Sequence, residues 1–308
     1  MIFVFYALLL LVVIPFIVIF FIAEHQFNIL LVRDSADKWT RRCSDSEDAE
    51  QLAMYNEGLE WGNVHSDCMH EVSIKNEGLV LCGQYFDFGF KRAVIIIAGR
   101  TEGCIYSYYY GEPYRQAGFN VLVIDNRSHG FSDGYYNSLG FREYKDVLAW
   151  GKFLYETMEN QEVICHGVCI GSATALYALT DKDCPSYMTG MTADGMYTTF
   201  GSSFREHLVQ DKRPIFPFFS IFFFIFKCKI GFDAVNDGPV KRMGDMKKRI
   251  LFLHSREDLF SIPDKTYSMY EKCPSSDKRF EFFDKGRHSY VRHNNLNSYD
   301  KAIVDFYR

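Results

Sequence analysis

The sequence predicts a doubly wound, mostly parallel α/β sheet with a small helical insertion, preceded by one N-terminal transmembrane helix. Three observations carry that prediction. From residue 71 onward, apolar runs of strand length alternate with stretches of helical period, as in chains that cover both faces of a parallel sheet. In the middle of that alternation the run 162–168 breaks into Gly167-x-Cys169-x-Gly171 and continues as helix-forming residues from Ser172. This is the layout of a strained strand-to-helix turn that lifts one reactive side chain above a sheet. Residues 1–23, finally, contain no charge and are rich in Leu, Val, Ile and Phe.

The chain's size and charge narrow the reading. A chain of 308 residues can bury a full core, and one α/β domain with a short extension is the natural count. A net charge of −5 with scattered basic residues gives no electrostatic case for nucleic acid. The nine cysteines are odd in number and irregular in spacing, and several fall in predicted buried strands. That pattern suits reduced thiols facing a cytosol better than a disulfide framework. His65, Cys68 and His70 form the one loose metal-like group, but no fourth ligand lies nearby in sequence. Neither metal nor cofactor is expected.

The N-terminal run is long enough to cross a bilayer, which takes roughly 20 apolar residues. A cleaved signal fits less well. There is no basic segment in front of the run, the run is too long, and Ile22-Ala23-Glu24-His25 offers no small-x-small cleavage site. Arg33, Lys38, Arg41 and Arg42 follow the helix and nothing basic precedes it, so the large domain is expected in the cytoplasm of a single-pass protein of the cell membrane. Residues 24–63 are polar and read as a juxtamembrane linker with one helix around 48–60. The acidic cluster Asp45, Glu47, Asp48 and Glu50 reads as a solvated face.

The domain proper, 64–308, follows in order. Residues 71–74, a turn at 75–78 and residues 79–85 make a β-hairpin by alternation and turn chemistry. Residues 93–99 form a continuous apolar run, as expected of a strand covered on both faces. A helix-like stretch reaches Gly118, and 120–125 is the next buried strand. Residues 139–158 carry helical periodicity, 162–168 feeds the Cys169 turn, and further strands are expected at 187–194, 249–254 and 279–283. Residues 296–307 close the chain as a helix. The insertion at about 195–248 holds the phenylalanine-rich run 214–226, too short to span a bilayer and interrupted by Pro217. It reads either as a cap helix buried against the core or as a greasy lid on the bilayer. In the second case it forms an acyl-binding wall, with Lys227 and Lys229 at headgroup level.

From about residue 71 to the end, the chain resembles the α/β-hydrolase superfamily. Ala98-Gly99-Arg100-Thr101-Glu102 stands where that superfamily has its oxyanion loop and is similar to the Gly-Arg-Thr-Glu of bacterial lysophospholipases. Asp125-Asn126-Arg127-Ser128-His129-Gly130-Phe131-Ser132-Asp133-Gly134 is similar to its Asp-x-Arg-Gly-His-Gly-x-Ser-x-Gly turn. His254-Ser255-Arg256-Glu257-Asp258-Leu259-Phe260-Ser261-Ile262-Pro263 looks like its His-Gly-x-x-Asp-x-x-Val-Pro segment. Gly286-Arg287-His288 resembles its Gly-x-x-His, one residue shorter. In layout the chain is most similar to membrane-anchored hydrolases of the serine-aminopeptidase-like group. Cys169 stands in place of the usual Ser, as it does in dienelactone hydrolases and polyhydroxyalkanoate synthases.

The resemblance implies a role for each of these residues. Cys169 is the candidate nucleophile, His288 the base and Asp258 the acid that orients it, in the chain order this fold uses. The backbone N–H groups of Arg100 and Ile170 would form the oxyanion hole. His293 competes with His288, and Asp194, closing the sixth strand, competes with Asp258. His129, His166 and His254 are expected to be packing residues, and Asp125 to pair with backbone or Arg127 in its turn. The implied activity is hydrolysis of an ester or thioester of a small apolar or lipid-like substrate. Acyl transfer by the same three groups, or a non-catalytic binding protein on this fold, are the alternatives.

Overall fold

The computed structural model describes residues 2–42 and 48–308, with side chains from residue 11 onward except residue 12. Of the acidic cluster, Asp45 and Glu47 lie outside the described residues.

In chain order the elements are α1 (Ile2–Leu31), α2 (Ala49–Val64), β1 (Met69–Asn76), β2 (Leu79–Phe86), β3 (Arg92–Ile97), α3 (Cys104–Ser107), α4 (Gly111–Gln116), β4 (Asn120–Ile124), α5 (Glu143–Glu156), β5 (Glu162–Val168), α6 (Ile170–Thr180) and β6 (Met188–Asp194). Then come α7 (Phe200–Gln210), α8 (Phe218–Ile230), α9 (Pro239–Arg242), β7 (Arg249–Ser255), α10 (Pro263–Lys272), β8 (Lys278–Phe283), α11 (Val291–Asn294) and α12 (Leu296–Tyr307). The helix expected up to Gly118 is broken into two short α-helices around a 3₁₀ turn at Tyr108–Tyr110. The stretch expected as helix from residue 139 winds only from Glu143, because Leu139 and Gly140 both take positive φ.

One eight-stranded sheet runs in the order β1-β2-β4-β3-β5-β6-β7-β8. β2 is antiparallel to both its neighbours, and the remaining pairs are parallel. The doubly wound, mostly parallel sheet expected from the sequence is therefore present. Its physical cause is visible along each central strand. In β3, Ala93, Ile95 and Ile97 enter one core with Trp150 and Leu154 of α5 and Leu176 of α6. Val94 and Ile96 enter the other, with Tyr114 of α4 and Tyr299 and Ile303 of α12. Alternate side chains point to opposite faces and both faces are buried, which is why these strands read as unbroken apolar runs.

A third apolar cluster joins the N-terminal helix to the insertion. Ala23, Phe27 and Leu31 recur every fourth residue on α1 and are all 0% exposed. Phe27 lies 6.3 Å and 6.4 Å, ring to ring, from Phe222 and Phe226 of α8. Lys229 of α8 donates to Glu24 at 2.9 Å. Away from this contact, Leu11, Ile14, Phe21 and Ile22 are apolar and exposed. The stretch Val13–Leu31 is long and apolar enough to cross a membrane. The phenylalanine-rich helix α8 buries Phe222, Phe223 and Phe226, while Phe216 before it and Phe224 on its outer side are exposed.

Residues 24–63, which read as a linker, make several contacts with the domain. Arg33 donates to the carbonyls of Ser132 and Gly130 at 3.0 and 2.8 Å. The Trp39 indole stacks on His129 at 4.6 Å. α2 packs its glycines against the tyrosine turn, where a Cβ on Gly58 would meet the Tyr109 backbone nitrogen at 2.9 Å.

Candidate active site

The sheet's central strands end at Cys169. Between β5 and α6 the chain reverses with Cys169 at φ 54° and ψ −109°, a left-handed backbone that a non-glycine residue adopts only when its surroundings enforce it. Two glycines permit it. A Cβ on Gly167 would sit 2.2 Å from the Gly171 carbonyl carbon, and one on Gly171 would sit 2.1 Å from the Ile97 carbonyl oxygen of β3. The turn is pinned from the neighbouring strand by Cys169 N–H donating to Asp194 O at 2.9 Å. Ser172 Oγ closes it by donating to Gly167 O at 2.5 Å.

His288 arrives on the loop after β8. Its Nδ1 lies 2.7 Å from Asp258 Oδ2, and the ring is hydrogen-bonded to Cys169 as well. Gly195, after β6, leaves room for the imidazole: a Cβ there would lie 3.4 Å from His288 Cε1. Asp258 follows β7 and is fully buried; its Oδ1 accepts the N–H groups of Phe260 and Ser261 at 2.9 and 2.8 Å. Burial disfavours charge on His288, but Cys169 and Asp258 outweigh it and hold the imidazole well above the usual histidine range. Burial likewise opposes ionisation of Asp258, and the His288 charge and hydrogen bond reverse it, leaving its pKa below the usual value. The three candidates are thus brought together, one behind the other. His293 is not among them; it lies on α11.

The competing acid is also close, in a different state. Asp194 is buried at the end of β6, its Oδ2 accepting Tyr299 Oη at 2.7 Å while Oδ1 has no partner among the described residues. Burial is the main reason its pKa is pushed up to about 7. A third carboxyl, Glu102, accepts Gly99 N–H at 3.3 Å and is raised by burial.

Arg100 follows β3, which pairs with β5 through Ile97 and Gly167, so the loop stands beside the Cys169 turn. Among the described residues neither Arg100 N–H nor Ile170 N–H has an intramolecular acceptor in the backbone. The Arg100 carbonyl is held from behind by His129 Nε2 at 2.7 Å and Asn137 Nδ2 at 3.2 Å. Its guanidinium donates to Leu30 O, in the last turn of α1, at 3.1 Å. Asp125 pairs with backbone as expected, through Cys104 and Phe131, but its charged partner is Arg41 at 2.8 Å. Arg127 instead meets Asp146 at 2.6 Å and Glu77 at 3.1 Å. His166 and His254 are packing residues, bonded to Tyr114 Oη at 2.8 Å and Ser261 O at 2.6 Å.

Three features escape the sequence reading. His207 of α7 stacks on Phe260 at 3.5 Å and is pulled down to about 4, by burial first and then by the charges of His288 and Arg100. The insertion therefore places an uncharged imidazole on Phe260, whose ring lies 6.0 Å from that of His288. Tyr197 is buried, and its hydroxyl has no partner among the described residues. Nothing in the local sequence marks either residue, because the approach is made by the insertion folding back. The acidic segment before α2 is the third: Asp48 accepts Arg287 at 2.5 Å and Tyr290 Oη at 2.9 Å, and Glu50 accepts Arg287 at 3.0 Å. These acids hold the loop that carries His288 rather than forming a solvated face.

The fold recurs among solved structures. The Pyrococcus furiosus esterase Pf2001 superposes with a TM-score of 0.67 at 18% identity, covering 88% of this chain and 98% of that one. The fold is that of the α/β hydrolases. The hydrolase GrgF from Penicillium sp. sh18 gives 0.62 at 12% identity over 78% of this chain and 97% of its own. The Pyrococcus horikoshii acylaminoacyl peptidase gives 0.53 at 16%, over 78% and 40%. By sequence, the Bacillus subtilis (strain 168) uncharacterized protein YqkD is 29% identical over 216 residues, 69% of this chain and 70% of that protein. No family model matches the chain.

Proposed function

We propose that this α/β-hydrolase-fold protein is a membrane-anchored enzyme that cleaves an ester or thioester bond of an apolar, lipid-like substrate through Cys169, His288 and Asp258. The observation that carries the reading is the hydrogen-bonded line from Cys169 through His288 to Asp258 at the end of the sheet's central strands. With Nδ1 on Asp258, the Nε2 of His288 holds the proton given up by Cys169, and the sulfur adds to the substrate carbonyl carbon. The carbonyl π pair moves onto oxygen, which the N–H groups of Arg100 and Ile170 stabilise. Collapse forms an acyl-Cys169 thioester and expels the alkoxide or thiolate, which takes the proton from His288. Water then adds with His288 as base, and the carboxylic acid leaves as the Cys169 thiol is restored.

The apolar substrate is supported by what surrounds Cys169. It packs in the same cluster as Phe200 and Phe204 of α7, the buried phenylalanines of α8 and Phe27 of α1. A cavity of about 250 Å³ opens between Ile19 and Ile22 of α1 and Leu208, Phe216 and Phe218 of the cap. The uncovered apolar surface of α1 supports the anchor.

Labelling membranes with thiol-directed and fluorophosphonate probes tests the reading. The wild type should react with the first and not the second, and Cys169→Ala should lose the label. The protein should also stay in the membrane fraction through carbonate and high salt, since charge screening does not release an apolar helix. Release by either treatment, or equal labelling of the alanine variant, would refute the corresponding half.

A further inference from the structure

A second cavity, away from Cys169, has the chemistry of a phosphate site. It has a volume of about 850 Å³ at the far end of α6, bounded by the hairpin turn at Glu77–Leu79, the start of α5, Phe232 before α9 and Arg242 at the end of α9. Cys169 stands at the opposite end of α6; the intervening eight to eleven helical residues place it on the order of 12–17 Å away. The volume falls within the range of sites that hold small ligands, roughly 300–1,000 Å³.

Five basic side chains line it against two acidic ones, Glu77 and Asp181, in a chain whose net charge is −5. The acids are already engaged. Glu77 accepts Arg127 at 3.1 Å and Lys145 at 2.7 Å, and Arg127 is further neutralised by Asp146. Asp181 accepts the Asp183 N–H at 2.9 Å and is hydrogen-bonded to Tyr144. Three cations remain. The Arg142 guanidinium donates to the Ile230 carbonyl at 2.9 Å and has no ion pair among the described residues. Arg242 has one long contact to Asp237 at 3.4 Å. Lys182 has no ion pair among the described residues. They come from three separate segments, so no single helix face accounts for their convergence. The other wall is aromatic: Phe141 and Phe232 stack at 4.9 Å with planes 7° apart, and Tyr177 stacks on the far side of Phe141 at 5.4 Å.

We propose that this cavity binds an organic phosphate, with Arg142, Lys182 and Arg242 around the phosphate oxygens and the Phe141–Phe232 pair against the organic part. Guanidinium and ammonium groups complement a phosphate dianion, and the aromatic wall favours an ester over the free ion. The phosphate belongs either to a phospholipid headgroup or to a soluble phosphomonoester. The site is independent of the chemistry at Cys169.

The test uses the full chain in phosphatidylcholine nanodiscs, titrated calorimetrically with glycerol 3-phosphate, with inorganic phosphate, and with glycerol as the uncharged control. A parallel set of nanodiscs contains phosphatidic acid. Saturable binding of glycerol 3-phosphate, absent with glycerol, is expected if the source is soluble. Loss of that binding in discs with phosphatidic acid would assign the site to the headgroup. Lys182 and Arg242 are exposed, so Lys182→Gln with Arg242→Gln should spare the fold and weaken binding by about tenfold or more, given the worth of charge-assisted hydrogen bonds. Cys169→Ala should bind like the wild type. The proposal is overturned if no phosphate probe binds and phosphatidic acid has no effect, or if the double variant binds as tightly as the wild type.

Discussion

Cys169→Ala is expected to lower turnover of short p-nitrophenyl esters and acyl thioesters by on the order of 10⁴-fold or more, with an unchanged circular dichroism spectrum. The spectrum should hold because the turn is fixed by Gly167, Gly171 and the Asp194 carbonyl, none of which uses the thiol. Comparable turnover in the variant would move the nucleophile elsewhere. Cys169→Ser separates the sulfur from the site. After burial, which lowers it, Cys169 is the leading influence on His288 and raises its pKa; a hydroxyl in its place removes that influence. The wild type should therefore keep its imidazolium through neutral pH and lose activity only on the alkaline side, as the charge needed by the leaving group is titrated away. In the Ser variant His288 falls back toward the ordinary range, and activity should instead rise with pH through roughly 6 to 7. Identical pH profiles for the two proteins would mean that Cys169 does not set the pKa of His288.

The second large effect is expected at the acid. Asp258→Asn should cost about 10⁴-fold in kcat, by the amidation of a triad acid, and His288→Ala at least as much. Asp194→Asn and His293→Ala should cost little. Asp194 has a different signature. Its folded pKa is about 7, against an ordinary value of 3.8, so between those pH values the folded chain holds a proton that the unfolded chain has released. Wild-type stability should therefore fall as pH rises from about 4 to about 7, and the melting temperature of Asp194→Asn should decline less over that window. A crippled Asp194→Asn with an active Asp258→Asn would exchange the two roles.

How much of this was legible in the sequence follows the range of the interactions. The strands were readable because burial on both faces leaves an unbroken apolar run, and Gly167 and Gly171 because a tight turn admits no Cβ. Asp258 and His288 were readable from local motifs, though only folding brings them within 2.7 Å. The helix limits at Cys104–Ser107 and Gly111–Gln116 were not, since an aromatic-rich stretch fits one long helix as well as two short ones. His207 and the Asp48–Arg287 contact were invisible for a plainer reason. Their partners lie 53 and 239 residues away in the chain and carry no shared spacing.

The bond from Arg100 to the last turn of α1 has a practical consequence for handling the protein. Hydropathy suggests trimming the chain just after its apolar stretch to obtain a soluble enzyme. Cutting at residue 31 would take away the carbonyl that receives the Arg100 guanidinium and uncover Phe222 and Phe226, both 0% exposed in the intact chain. The loop beside the Cys169 turn would lose its outer tether, and two aromatic rings would face water. The helix is a wall of the folded domain, and the scissors belong upstream of Ala23.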